Sequence, residues 1–200
     1  MLDRRQFLAM AAMMTFASKV FAGAKGPVVV SAGRRVDAPD AASPRFPASN
    51  VDAVRQKIRD FFAHESPSAV VCSAACGSDL LVLEAATARK VKRYVLLGAE
   101  PAVFRKESVA DRPGDWGEMF DEVMRSSNVE VLKLPAGQEG YLQTNLDLLN
   151  RAQTLARKLG TSVVALVVWN EQSRGADDVT AHFLEQARQR KIAVREISTL

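Results

Sequence analysis

Ser162-Val163-Val164-Ala165-Leu166-Val167-Val168 is the most apolar stretch of this chain apart from its first residues. It is too short for a helix of ordinary length and rich in β-branched residues, so it reads as a strand. Apolar side chains at successive positions must be covered on both faces. That is the situation of a central strand in a parallel sheet flanked by helices.

Working outward, the neighbouring segments alternate in kind. Before it, Tyr141 to Leu159 reads as a long helix, and after it a helix is expected from about Asp177 to Arg190. A last strand follows at Ile192 to Ile197. Further upstream lie short apolar runs at Pro27–Ser31, Ala69–Cys72, Tyr94–Gly98 and Val129–Leu134. Between them, Val51, Val54, Ile58, Phe61 and Phe62 recur at helical spacing, with Asn50 as N-cap. Gly77 to Arg89 is a second helix. Ala99 to Pro113 is irregular with a short helix around Val103-Phe104. Asp115-x-x-Glu118 opens another helix as a capping box, with Trp116, Phe120, Val123 and Met124 packing on it. Arg34 to Asn50 is a long loop rich in Pro, Ala, Ser and Asp.

Strands alternating with helices define the fold class. This is an α/β, doubly wound, mostly parallel sheet of about six strands with helices on both faces, Rossmann-like. In such sheets ligands bind beyond the carboxyl ends of the strands, where strand order reverses. Three loops belong there: Gly33-Arg34-Arg35 after the first strand, Gly77-Ser78-Asp79 after the second, and Trp169-Asn170 through Gly175-Ala176 to Asp178 after the fifth. Small residues let a ligand approach the backbone, and free N–H groups at the helix starts favour a phosphate or carboxylate. Arg34 and Arg35 add charge-assisted donors. Asp79 and Asp177 suit the helix dipole and would oppose a nearby anion, so they fit better against ribose hydroxyls or a base.

Glu84 shares a stripe with Leu80 and Leu81, expected to face the sheet, and has no local basic partner. Buried, it would need Arg34, Arg35 or a ligand; at the helix edge it would reach water. The candidates for catalysis are therefore Glu84 and Asp79. The expected ligand contacts are Gly33, Arg34, Arg35, Gly77, Ser78, Asp79, Glu84, Trp169, Asn170, Gly175, Ala176 and Asp178.

The first residues are a separate matter. Arg4-Arg5 precede an apolar run from Phe7 to Ala17, and Ala22-Gly23-Ala24 closes the segment. A basic start, a short apolar stretch and a small-residue end describe an export signal. The paired arginines make it resemble the twin-arginine (Tat) type. The run is too short to span a bilayer. The expectation is a signal at 1–24 and one domain at 25–200, periplasmic or exported. Uncleaved, the leader is a membrane tether; without a functional leader the protein is cytoplasmic.

Of 27 basic and 23 acidic residues, the leader holds Arg4, Arg5, Lys19 and Asp3, leaving 24 and 22. The rest carries no basic block or basic–aromatic interleaving, so a small molecule is expected as partner and no nucleic acid. A homo-oligomer is compatible with the sequence. Cys72 and Cys76, with His64 and His182, do not form a zinc set, and no metal or cofactor is implied. The two cysteines read as small buried hydrophobes rather than a disulfide.

Ser31-x-Gly33-Arg34-Arg35-Val36-Asp37-x-Pro39, then Arg45-Phe46-Pro47, then Cys72 to Gly77-x-Asp79 and Glu84-Ala-Ala resemble the bacterial Rossmann-like SLOG group. That group includes the LOG-type phosphoribohydrolases and DprA-like domains. The nearer resemblance is to uncharacterised bacterial domains attached to repeat or signalling modules. Phe104, Ser108-Val109, Trp116, Phe120, Val123, Tyr141 and Asn145 also fit, and the match runs from about Val28 to Ile197. It implies a nucleotide or nucleotide-derived ligand, with phosphate near Gly175 and the nucleoside near Gly77, Asp79 and Glu84. Some relatives cleave an N-glycosidic bond and others only sense. Arg34 stands where relatives often have His, Ala176 where many have Thr, and the Pro-Gly-Gly-x-Gly-Thr loop of the LOG enzymes is absent. Three readings follow: nucleotide binding, an N-glycosidic hydrolase, and an exported scaffold with a degenerate site.

Overall fold

The computed structural model describes residues 25–200, so the leader expected at 1–24 lies outside the described residues. Six strands form one sheet: β1 (Val28–Gly33), β2 (Ala69–Cys72), β3 (Lys92–Leu97), β4 (Asn128–Val131), β5 (Val163–Trp169) and β6 (Ala193–Ser198). Their spatial order is β4-β3-β2-β1-β5-β6, and every pair is parallel. Six helices connect them: α1 (Val51–Glu65), α2 (Ser78–Ala88), α3 (Pro101–Ser108), α4 (Trp116–Ser126), α5 (Gln138–Leu159) and α6 (Val179–Gln189).

The chain walks outward from β1 to β4, crosses back to β5 on the other side of β1, and ends at β6. Crossovers of one hand require the helices to change face when the walk changes direction. They do. α1 to α4 pack on the face carrying Val29, Val70, Cys72, Val95, Leu97, Leu166 and Val168. α5 and α6 pack on the face carrying Val28, Val30, Ala69, Val71, Leu96, Ala165 and Val167. Val163 to Val168, the segment first read as central, pairs with β1 on one side and β6 on the other.

Two expected helix caps differ. Asn50 precedes α1, but its side chain donates to the Thr199 carbonyl (3.0 Å) instead of capping the helix. Asp115 precedes α4 without a side-chain cap, so the capping box with Glu118 does not form. The amphipathic face of α4, with Trp116, Phe120 and Val123 buried, holds that helix through packing.

Candidate functional site

The order of strands reverses between β1 and β5, and Arg34 fills that corner. Its guanidinium donates to both carboxylate oxygens of Asp178 (2.7 Å each), to Asn170 Oδ1 (3.0 Å) and to the Gln172 carbonyl (2.7 Å). The Trp169 ring lies 5.6 Å from the guanidinium carbon, a cation–π contact. Trp169 is fixed in turn by its indole N–H on Glu196 (2.9 Å). Asp178 is the N-cap of α6 and also accepts the backbone N–H groups of Arg174, Thr180 and Ala181. Burial alone would raise its pKa. The bonds from Arg34 and the backbone outweigh that and hold the carboxyl well below the usual carboxylate range.

The loop after β2 joins the same edge from the other side. Ser78 donates its hydroxyl (2.6 Å) and its N–H (3.1 Å) to the Arg34 carbonyl. Here the expectation of free helix starts is corrected. The Arg34 carbonyl occupies the start of α2, and the Asp178 side chain occupies the start of α6. The two glycines serve the same contact. A Cβ on Gly33 would collide with the Val168 carbonyl and stand 2.6 Å from Ser78 Oγ. One on Gly77, whose φ is +89°, would stand 2.7 Å from the Val36 nitrogen. Their small size lets one loop backbone approach another.

Arg35 points the opposite way, with Nε on Cys76 Sγ (3.4 Å) and an ion pair to Asp111. Beside it lies Asp79, buried in the first turn of α2. One carboxylate oxygen accepts the Ala75 N–H (3.2 Å); the other has no hydrogen bond among the described residues. Burial pushes the Asp79 pKa up to about 7, against the smaller opposing pulls of that N–H and of Arg35. Cys72 and Cys76 are both buried and free, and burial pushes both thiols up.

The remaining expected residues lie apart from this cluster. Glu84 pairs with Arg55 (3.0 Å) and Arg59 (2.6 Å) of α1, halfway along α2. Of the two alternatives for Glu84, the buried one paired with Arg34 or Arg35 does not form. The side chain is partly exposed, as at the helix edge, and its two arginines come from α1, which sequence spacing did not flag because the contact crosses between helices. Gly175 and Ala176 are exposed, and open space surrounds Gly175. Asp177 bonds Gln138 at the start of α5 (2.9 Å).

Arg45 belongs to the Arg45-Phe46-Pro47 stretch of the resemblance but not to the expected ligand contacts, since it sits in a loop without periodicity. Asp37 anchors it by accepting the Arg45 and Phe46 N–H groups (2.6 and 2.7 Å), and its carbonyl accepts the Thr199 hydroxyl. Two open grooves lie elsewhere. One of about 590 Å³ runs past Gln138, Leu142, Leu146 and His182. The other, about 570 Å³, runs past Tyr94, Leu96, Leu132 and Leu155. Among the described residues, no three His, Cys, Asp or Glu side chains are grouped to hold a metal ion, and no helix is long and apolar enough to cross a membrane.

No protein-family model and no curated protein matches the chain. Among solved structures, it is similar to DNA processing protein A (DprA) from Streptococcus pneumoniae, at 14% identity over 85% of this chain, with a TM-score of 0.42. It spans 58% of that protein's length. It is also similar to DNA processing protein A from Helicobacter pylori, a protein with a single-stranded DNA binding mode (12% identity, 86% of this chain and 75% of that one, TM-score 0.35). A third is Streptococcus suis SuiB bound to S-adenosylmethionine (13% identity, 97% and 43%, TM-score 0.27). The doubly wound, Rossmann-like fold is shared with the DprA structures, and the likeness concerns fold alone. One expectation is corrected: with a single-stranded DNA binder among these structures, the missing basic block no longer excludes nucleic acid as a partner.

Proposed function

We propose that the domain binds a small nucleotide-type molecule over the loop edge, with Asp79 accepting hydroxyl groups of the sugar. The observation that carries this is the Asp79 carboxyl itself. It is buried beside Arg35, holds one N–H, and has a second oxygen without a partner among the described residues. Its free oxygen meets solvent at the loop edge, and a carboxyl whose pKa burial raises to about 7 at the ligand-binding rim of such a sheet is the kind of group that concentrates at functional sites. Arg34 and Asp178 then position the loops, because their own bonds are spent on each other. The hydrolase reading loses its second carboxylate at this edge, since Glu84 is held by Arg55 and Arg59.

A thermal-shift series with nucleosides and nucleotides tests the reading. A ligand at a hundred times its Kd stabilises by about 2.7 kcal/mol. At least one member should shift the parent and leave Asp79→Ala unmoved. A panel without effect on the parent supports the second reading, a scaffold whose ancestral site is closed; the Arg34–Asp178 plug favours that one. Export through residues 1–24 is a separate proposal, tested by cell fractionation and N-terminal sequencing.

A further inference from the structure

We infer that the open strip of sheet over β3 and β4 is an interface between two copies of this chain, paired antiparallel along α5. This goes beyond the ligand reading and does not depend on it. Four helices cover one face of the six strands, and two cover the other. On that second face α5 lies mainly across β1, β2 and β3, and α6 across β5, β6 and β1. β4 is the outer strand, bonded to β3 alone. What is left is the groove of about 570 Å³, with Tyr94, Leu96 and Leu132 in its floor and Asp147, Leu155 and Lys158 of α5 in its wall. Tyr94, Leu132 and Leu155 are only partly buried there, at the margin of the core beneath α5. A continuous apolar groove with a polar rim marks a contact surface.

Charge identifies the occupant. α5 carries five charged side chains: Glu139 and Asp147 in its first half, and Arg151, Arg157 and Lys158 in its second. Parallel copies would set like charge on like. Antiparallel copies set acid against base at both ends, and their helix dipoles oppose as well. Arg151 is already paired with Glu130 across the strip. Asp147 accepts only the Gln143 amide (3.2 Å), and neither Asp147 nor Lys158 has an ion pair among the described residues. With the two-fold axis level with the Ala152–Gln153 peptide, Asp147 of each copy stands level with Lys158 of the other, and Arg151 with Thr154. The same patch then serves both copies, as a closed two-fold contact requires. Within one chain Asp147 and Lys158 do not meet, since they lie about 16 Å apart along the helix.

The test is sedimentation velocity on the full chain, with circular dichroism to establish that each variant folds. The variants are Asp147→Lys, Lys158→Asp, the two together, and Thr154→Arg; none of these three positions is buried. The parent should run as a dimer at micromolar concentration. By symmetry each single reversal turns two attractions into two repulsions, and it should weaken the dimer by about tenfold. The double reversal should bring parent affinity back, which a structural role for either residue within one chain does not produce. Thr154→Arg sets a second cation against Arg151 at the axis and should leave monomers. A parent that stays monomeric at about 100 μM, a dimer that ignores the reversals or persists in Thr154→Arg, or a double variant no tighter than the singles would each overturn the interface. So would assemblies larger than a dimer, because a two-fold contact closes at two copies.

Discussion

Two buried acids at the loop edge have opposite relations to pH. Asp178 is stabilised as a carboxylate, so its contribution is present above the unfolded pKa, near 4, and is lost as pH falls below it. Asp79 prefers its proton in the folded state. Between about pH 4 and 7 the unfolded chain releases that proton while the native one keeps it, so stability falls as pH rises through this window. Asp79→Asn should flatten that slope and be more stable than the parent at pH 8, by about 4 kcal/mol at most. Urea unfolding at a series of pH values reads this; an unchanged slope would show that Asp79 is ionised in the native state. Asp178→Ala should cost about 3–5 kcal/mol, because it strands the Arg34 charge in a dry corner. The same urea series at pH 7 measures it, and a loss under about 1 kcal/mol, the worth of a surface pair, would contradict the burial argument.

Strands were legible in the sequence because each is a short run bounded by turn residues; five of the six lie within two residues of the expected position, and β4 ends at Val131, three residues before the expected Leu134. Helix starts were less so. α5 begins at Gln138, ahead of the expected Tyr141, because Gly137 at φ +84° turns the chain before any apolar residue appears. α6 begins at Val179 because Asp178 caps it, a pairing readable only once Thr180 and Ala181 are seen donating to it. Within the site, the meeting of three loops followed from topology. What each side chain does there did not, because Arg34 and Asp178 are 144 residues apart and choose each other only in the fold. The junction of β1, β5 and α2 should tolerate no added atom. Gly33→Ala should lower the melting temperature sharply, since a backbone carbonyl cannot move aside as a flexible side chain can. Gly175→Ala, in open space at φ +102°, should cost only the strain of that backbone, about 1 kcal/mol. Differential scanning calorimetry of the two variants compares them, and equal losses would refute the packing explanation.

At the scale of the molecule, β1 is an internal strand whose two neighbours arrive at very different times. β2 follows it after 35 intervening residues, but β5 follows only after 129. A fragment of residues 25–161 holds four strands and five helices and leaves the β1 edge without its partner. Light scattering and gel filtration should find it associated, whereas the 25–200 chain runs as a defined species; a monodisperse fragment would mean that the first half closes its own edge. The reversal that builds the corner thus has a cost during translation. A ribosome releases the first 161 residues while Val28, Val29 and Val30 still present a bare template to any other extended peptide. Until the last two strands emerge, this nascent chain depends on speed or on a chaperone to keep that template covered.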